Sequence, residues 1–354
     1  MTIDELKKSI AQGMPLMKVD FTGMDFSNIS LEGAIFLNCK FSDCNFTQTN
    51  LERVVFTQCD LPNTHFVNSI MQQTSIIECD LSKAVFEGKM EATTLCNSTL
   101  VQSRWKKVDL DKSTMTECDF SESVFDECFF QTSILMGCST DKATIDQCTF
   151  YNVTWTKADF THTAITQCEL NQVLLIEGVF IKQDFSGTLF TRCTCNDSVF
   201  DKCLFIATNM IETNLSKCQL SFCNFDGAQF HRGLLIESTV SECSFNDTIL
   251  EGANFQDAIL QKSHFKKTIL KDAWMKGVSA KEVVFLESDF SGANLSYSTL
   301  DHSVFKKVNA QRAIVHGMQE SECDWSGANK RDMVTTEPDQ QAVDEKLQAR
   351  GIAL

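Results

Sequence analysis

Residues 16–46 read LMKVD-FTGMD-FSNIS-LEGAI-FLNCK-FSDCN-F, with a Leu or Phe at every fifth position. The spacing continues to Phe86, so that fifteen successive positions are large and apolar. After a slip of one residue, a second register of 48 positions runs from Met90 to Trp325. Five positions of the second register hold a different kind of residue: Thr140, Cys195, Ala280, Ala310 and Glu320. We call the regularly spaced residue the centre of its unit.

Both unusual features of the composition, 28 Phe and 17 Cys, follow this spacing. Twenty-six of the Phe are centres, and only Phe129 and Phe222 are not. Two residues before the centre, 58 of 63 units carry Ala, Cys, Ser, Thr, Val or Gly, and 15 of the 17 Cys lie there, all but Cys96 and Cys195. Because Cys packs as a small hydrophobe, we interpret the cysteines as core residues.

A period of five suits neither an α-helix nor an extended strand. Five helical residues turn by about 500°, so an apolar row would wander around the helix. Five strand residues reverse the face, so every second centre would point to solvent. The chain must therefore turn within each unit, which predicts a solenoid of very short strands. Cysteines at the small position are most often 20 residues apart, as in Cys39, Cys59 and Cys79, which favours four units per coil and about 16 coils.

Units such as Ala253-Asn-Phe-Gln-Asp257, Ala293-Asn-Leu-Ser-Tyr297 and Ala158-Asp-Phe-Thr-His162 resemble the A(D/N)LXX motif of pentapeptide repeat proteins. The resemblance covers residues 14–330 approximately. It implies an all-β fold, a right-handed quadrilateral β-helix, whose handedness the period alone does not give. The chain departs from the family pattern by carrying Cys where Ala is usual.

We predict three parts. Residues 1–13 form an N-terminal capping helix, in which Thr2 and Glu5 have the spacing of a capping box. Residues 14–330 form the β-helix, with the register slip near 87–94. Residues 331–354 are a C-terminal tail with a helix.

The C-terminal helix is predicted from Pro338, which suits a helix start, to about residue 350, with Gly351 after its last turn. It carries a modest apolar stripe. We treat this stripe as a candidate end interface for the solenoid's own cap, a homodimer or a partner: Ala342, Val343 and Leu347.

The chain carries 31 Lys and Arg against 47 Asp and Glu, a net charge of −16. Direct nucleic-acid binding needs clustered cations and is disfavoured. The N-terminus has no signal peptide and no stretch reaches the length of a membrane span, so we expect a bacterial cytoplasmic protein, with signal-independent export left open. An odd number of Cys without a secretion signal argues against a disulfide framework.

The sequence predicts no enzyme, metal site or cofactor. There is no Cys-x-x-Cys pair and no P-loop, Gly-x-Ser-x-Gly or His-Glu-x-x-His motif. Six histidines fall on outward positions, where we expect solvent exposure: His65, His162, His231, His264, His302 and His316.

Function is therefore expected to lie on the surface. Apolar residues flank three centres that differ by multiples of 20, so they belong to one side of a four-sided coil. We predict a partner-docking face there: Ile134, Met136, Leu174, Ile176, Leu234 and Ile236. The competing explanation is the β-propensity of Ile, Leu and Met on short strands.

Two functional hypotheses follow. The first is a non-catalytic scaffold or adaptor for another protein, and the family resemblance suggests an accessory, adaptor or effector protein of a bacterial secretion system. The alternative, also from the resemblance, is a DNA mimic that inhibits or protects type II topoisomerase (DNA gyrase). Asp20, Asp60 and Asp80 share a face, but Lys40 interrupts that row. Two lysine pairs on one face also argue against the mimic: Lys266/Lys267 and Lys306/Lys307.

Overall fold

The structure is a computed structural model that describes residues 1–336 and 338–349. Gly351, predicted to follow the last helix, lies outside the described residues. The chain divides into two compact units, Met1–Asp184 and Phe185–Leu354. Together they contain about 15 turns of parallel β-solenoid and two short helices.

The first unit begins with helix α1 (Ile3–Ala11) and continues with eighteen short strands. Their bounds are β1 Leu16–Met17, β2 Ile35–Leu37, β3 Val55–Thr57, β4 His65–Ile70, β5 Ser75–Ile77, β6 Val85–Lys89, β7 Thr94–Cys96, β8 Arg104–Asp109, β9 Thr114–Thr116, β10 Val124–Asp126, β11 Phe129–Gln131, β12 Ile134–Met136, β13 Thr144–Asp146, β14 Thr149–Tyr151, β15 Thr154–Thr156, β16 Ala164–Thr166, β17 Glu169–Asn171 and β18 Val179–Ile181.

The second unit has eight strands followed by helix α2 (Pro338–Ala349). The strands are β19 Phe190–Thr191, β20 Val199–Asp201, β21 Gln219–Ser221, β22 Thr239–Ser241, β23 Ile259–Gln261, β24 Ser279–Lys281, β25 Thr299–Asp301 and β26 Gln319–Ser321. From β20 to β26 they pair in sequence order as parallel neighbours.

Each coil has four sides. Four successive units all pair with the residue 20 positions later, as in Asp20 with Lys40, Asp25 with Asn45, Ser30 with Asn50 and Ile35 with Val55. In the first unit, one side forms an eight-stranded sheet of order β1-β2-β3-β5-β7-β9-β12-β15. The longer strands β4, β6 and β8 pair in series around one corner, and β8 then pairs with both β10 and β11. The predicted solenoid of very short strands is thus confirmed.

The corners explain why a five-residue unit can close. The second residue after nearly every centre adopts a left-handed conformation, as in Lys18 (φ 54°) and Glu122 (φ 58°); His162 is an exception. Such a conformation costs an ordinary side chain about 1–2 kcal/mol. The Lys18 N–H donates to the carbonyl of Leu37 at 2.9 Å, so the corner is held by the next coil.

The core consists of the centres and the small residues. Phe225, for example, is fully buried and stacks on Phe205 and Phe245 with ring centroids 4.8 and 4.6 Å away. Fifteen of the 17 Cys are buried and all are free thiols. Cys96 and Cys323 are half-buried. Phe129 and Phe222, which are not centres, are exposed.

The register slip lies at Gly88. Val67 pairs with Glu87, 20 residues later, whereas Ser69 pairs with Gly88, 19 residues later. Gly88 has φ 110°, outside the range of the ordinary corners. A Cβ there would lie 3.3 Å from the Cα of Asn68, so glycine is the residue that fits the shortened coil.

Helix α1 starts with the predicted capping box, in which the Glu5 N–H donates to Thr2 Oγ1 (3.3 Å) and the Thr2 N–H donates to Glu5 Oε2 (2.8 Å). Leu6 is its fully buried residue. Gly13, with φ 64°, follows the helix.

At the other end, the last coil has one polar centre, Glu320. Trp325 stacks on Phe305 with centroids 4.1 Å apart, and its indole N–H donates to Glu320 Oε2 at 2.7 Å. The Lys330 ammonium lies 4.2 Å from the Trp325 ring centroid. Charged groups therefore face water where the aromatic column ends.

Helix α2 is held to the second unit through Asp344. The carboxylate accepts hydrogen bonds from Tyr297 Oη (2.7 and 2.8 Å) and lies 2.9 Å from His316 Nε2. The prediction that all six histidines are solvent-exposed is wrong for His316, which is only 7% exposed. Its outward side chain is covered because the helix returns over it, which a five-residue pattern does not encode.

Candidate protein-docking surfaces

Four of the predicted docking residues lie on one side of the first unit. Ile134 and Met136 flank the buried centre Leu135 on β12. Leu174 pairs with Thr154 of the neighbouring strand β15, and Ile176 follows it beyond the next centre. The structure thus brings these four residues together on one side: Ile134 and Met136 lie on the eight-stranded sheet, and Leu174 and Ile176 lie in the next coil beyond its last strand, β15.

The residues that directly flank the centres of that entire side carry no charge, whereas its corner residues include Lys18, Glu78, Glu117, Lys157 and Glu177. We call the flanking residues the charge-free face. It is formed by Met17, Ile35, Leu37, Val55, Thr57, Ser75, Ile77, Thr94, Cys96, Thr114, Thr116, Ile134, Met136, Thr154, Thr156, Leu174 and Ile176.

The other three sides of the first unit all present charged groups at the same positions. One side aligns Asp20, Lys40, Asp60 and Asp80. A second pairs Arg104 of β8 with Val124 of β10. The side that includes Asp109 continues to Glu169 of β17. The absence of charge is therefore a property of one side and not of the strands in general.

Several apolar side chains of the charge-free face are exposed to solvent. Met17 is 57% exposed and Met136 is 47% exposed. Ile134 and Leu174 are each 38% exposed, and Ile35 is 37% exposed. These side chains form two groups on the same side, Met17 and Ile35 at one end and Ile134, Met136 and Leu174 at the other, and exposed apolar groups of this kind commonly mark an interaction site.

Charged residues border the face without entering it. At one border Arg53 pairs with Glu32 and Glu52. Further along the same border, Lys112 pairs with Glu91 at 3.1 Å. These cations are already neutralised by neighbours, so the border itself has little attraction for a charged partner.

The remaining two predicted residues, Leu234 and Ile236, belong to the second unit. Both are half-buried and flank the buried centre Leu235. Leu234 pairs with Asn214 on one side and Asn254 on the other. This apolar pair is enclosed by amides and is smaller than the face of the first unit.

The candidate end interface lies on α2. Ala342 is exposed, Val343 is 51% exposed and Leu347 is half-buried. Asp344, between them in sequence, makes the contacts with Tyr297 and His316. The self-association predicted for this segment stays a prediction.

The acidic row next to the charge-free face has a local structural explanation. Asp80 Oδ1 accepts the Ser82 N–H at 2.9 Å, and Asp119 Oδ1 accepts the Ser121 N–H at 2.9 Å. An Asp that bonds the backbone two residues later stabilises a turn. These carboxylates are thus accounted for by the corners of the coil.

In the described parts of the chain, potential metal ligands do not form a cluster. Within residues 1–336 and 338–349, no three His, Cys, Asp or Glu are grouped so as to hold a metal ion. A surface indentation of about 260 Å³ includes Asp141, Lys157 and His162, whose side chains are 46–72% exposed. None of the helices described is long and apolar enough to cross a membrane.

Sequence reasoning missed most of the charge-free face, although its signal is present. The prediction selected pairs of large aliphatic residues and passed over rows such as Thr114/Thr116 and Thr154/Thr156. The row becomes visible when every fourth unit is aligned from Leu16 onward, with one residue fewer in the coil that contains Gly88. The residues that flank the aligned centres are then uncharged throughout the first unit.

Two family models match the chain. The one described as "Pentapeptide repeat region" matches residues 14–86. The one described as "Pentapeptide repeats (8 copies)" matches residues 184–221, 198–235, 241–277 and 286–319. No curated protein matches the chain.

Three solved structures are similar to the chain at low identity. HetL, a pentapeptide repeat protein involved in heterocyst differentiation regulation from Nostoc sp. strain PCC 7120, has 13% identity and a TM-score of 0.19, covering 95% of this chain and 97% of HetL. QnrB1, a plasmid-mediated fluoroquinolone resistance protein, has 16% identity and a TM-score of 0.24, covering 75% and 98%. A pentapeptide repeat protein of the Arabidopsis thaliana thylakoid lumen has 23% identity and a TM-score of 0.10, covering 35% and 71%.

Proposed function

Because the chain belongs to the pentapeptide repeat family, we propose that it is a non-catalytic scaffold that binds another protein through the charge-free face. The observation that carries the proposal is the lack of charge at every position that flanks a centre on one side of a unit, where the other three sides carry charged residues at the same positions. In a chain with a net charge of −16, that contrast is specific to one surface.

Energetics support an apolar interaction. Burying apolar surface contributes about 25 cal/mol per Å², and no ion has to be desolvated on this face. The half-exposed Met17 and Met136 are adaptable side chains that suit a contact surface. Solenoid proteins generally bind partners along extended surfaces of stacked repeats.

The test compares one face variant with a matched control. Ile134→Asp adds a carboxylate to the charge-free face, at a side chain that is 38% exposed. Val124→Asp adds the same group at the first residue of a three-residue strand on another side, where the side chain is 40% exposed. Both tagged variants and the wild type are used to capture partners from the native cell, and the captured proteins are quantified by mass spectrometry.

We expect Ile134→Asp to reduce the main captured partner about tenfold, equivalent to about 1.4 kcal/mol, and Val124→Asp to leave it unchanged. Equal capture by all three proteins would refute the proposal. Thermal unfolding of the variants verifies that both are folded.

Identification of the partner distinguishes the two more specific roles that we propose, a secretion-system adaptor and a DNA mimic directed at gyrase. Capture of a secretion-system component through the face would support the adaptor role. The gyrase alternative rests on family resemblance, and turns account for Asp20, Asp80 and Asp119 of the acidic row but not for Asp60, because Pro62 has no N–H to donate. Absence of any effect on gyrase supercoiling at micromolar protein would remove that alternative.

A further inference from the structure

The dimensions of the charge-free face restrict what can bind there, and this inference rests on the proposed function. Each strand contributes three residues, which makes the face about 10 Å wide. Eight strands and the Leu174 row, at about 4.8 Å per coil, make it about 38 Å long. An α-helix with its side chains is about 10–12 Å in diameter, so one helix covers the width.

The relief of the face also matches a helix lying along it. Large residues at Ile134/Met136 and Leu174/Ile176 form two ridges, and the row Thr154/Thr156 forms a hollow between them. A second hollow lies over the rows of β7 and β9, where Thr94, Cys96, Thr114 and Thr116 are the outward residues. The helical pitch of about 5.4 Å is close to the coil spacing of about 4.8 Å, so successive turns meet successive coils over several turns.

We propose that the occupant of the charge-free face is a single amphipathic α-helix of a partner protein, laid across the strands. The two hollows are separated by about 2.5 coils, or about 12 Å. At about 1.5 Å per residue, the two side chains that fill them lie seven or eight positions apart in the partner helix.

An extended peptide fits less well. The backbone groups of the face are already paired along the stack, as in Ile134 N–H to Ser113 carbonyl (3.0 Å) and Trp155 N–H to Leu174 carbonyl (2.8 Å). A strand laid on the face would bury its own backbone groups without partners, which costs free energy for each group. A helix satisfies its backbone internally and has no such cost.

A second copy and a lipid surface are also less suitable. Stacked sheets cross at about 30°, so two narrow strips would overlap over only about half of their length. A helix that lies along the whole length of the face covers about twice that area. An anionic membrane would require clustered cations, but none flanks a centre of the face, and the corner residues Lys18 and Lys157 share their row with Glu78, Glu117 and Glu177.

The test selects peptides of 25 random residues, displayed on phage, for binding to the full-length protein. The variant Ile134→Asp serves for counter-selection. We expect enriched peptides with apolar residues at helical spacing (i, i+3 or i+4, i+7 or i+8). We expect them to bind Ile134→Asp about tenfold more weakly than wild type and Val124→Asp equally well. Because no charge lies on the face, affinity should change less than about twofold between low and high salt.

Several results would overturn the helix proposal: no enriched peptides, peptides with alternating apolar residues, or equal binding to Ile134→Asp. Binding of protein-free anionic vesicles that Ile134→Asp abolishes would assign the face to lipid. A wild-type dimer in sedimentation that Ile134→Asp converts to monomer would assign it to a second copy. If a cellular partner still depends on Ile134 while no helical peptide is enriched, the scaffold function stands and only the helix is wrong.

Discussion

At the scale of single residues, position relative to the centre decides what a side chain contributes. Phe225 and Phe222 lie three residues apart and have opposite roles. Phe225 is fully buried between two stacked rings, whereas Phe222 is 49% exposed with the Lys202 ammonium 5.6 Å from its ring centroid. The same amino acid is thus a core element at one position and a surface group at the other.

We therefore predict that Phe225→Ala lowers the free energy of unfolding by about 3–5 kcal/mol, because it leaves a cavity in the aromatic column. Phe222→Ala should change it by less than about 1 kcal/mol. Urea unfolding followed by tryptophan fluorescence measures both. Similar losses for the two variants would contradict the assignment of centres.

The cysteines give a second prediction at this scale. Burial raises the pKa of Cys44 to about 11 and that of Cys218 to about 12. Because the thiolate is the reactive form, these thiols should not react at pH 8 in the folded protein. We expect at most two of the 17 thiols, Cys96 and Cys323, to react quickly with a thiol reagent, and all 17 after denaturation. Rapid reaction of many thiols in the native protein would show that the core is open.

At the scale of elements, the shortened coil depends on one glycine. Gly88→Ala should destabilise the protein by about 1–3 kcal/mol, since its backbone conformation is one that side chains rarely adopt. Gly23 (φ 72°) is the control, because a Cβ there meets no atom within 4 Å and neighbouring corners accommodate ordinary residues. Gly23→Ala should cost about 1 kcal/mol. Thermal unfolding compares the two, and an equal effect would mean that the deletion imposes no special constraint.

The Asp344 carboxylate joins α2 to Tyr297 and His316. The hydrogen bond from Tyr297, followed by the contact with His316, lowers the pKa of Asp344. A lowered carboxyl pKa means that the ionised form stabilises the docked helix above the ordinary value of about 3.9, and that this contribution is lost as pH falls through the lowered pKa.

We predict that Asp344→Asn speeds proteolysis within α2 at pH 7, and that the wild type shows the same loosening only in acid. Asp332→Asn, at an exposed side chain paired with Arg331, is the control and should leave proteolysis unchanged. If Asp344→Asn is cleaved no faster than wild type, other contacts hold the helix.

These elements differ in how far the sequence predicts them. The five-residue period predicted a solenoid of short strands because each unit repeats the same inward and outward positions, and the 20-residue spacing of the cysteines predicted four units per coil. The contacts of α2 with the solenoid could not be predicted. Asp344 is 47 residues from Tyr297 and 28 from His316, and no repeat relates these positions. Most of the charge-free face was overlooked because Thr94, Thr114 and Thr154 look like ordinary polar surface until the coils are aligned.

At the scale of the molecule, the core is built from the same kinds of residue in every coil, so the coils differ mainly in the charges on their surface. We therefore expect the distribution of surface charge to determine what the protein binds. The net charge of −16 disfavours nucleic acid, but it does not describe the side of the first unit where charge is absent. A partner that binds there gains from apolar burial without desolvating a charged residue of the face. The central claim is that this side, and not another, is covered in the complex.

Hydroxyl-radical footprinting of the complex with its captured partner tests that claim most directly. Met17 and Met136 report on the charge-free face, at 57% and 47% exposed, and Tyr151, at 41%, reports on another side of the same unit. We predict that partner binding protects Met136 from oxidation several-fold while Tyr151 is modified equally in the free and bound protein. Unchanged oxidation of Met136, or protection of Tyr151 instead, would contradict the claim.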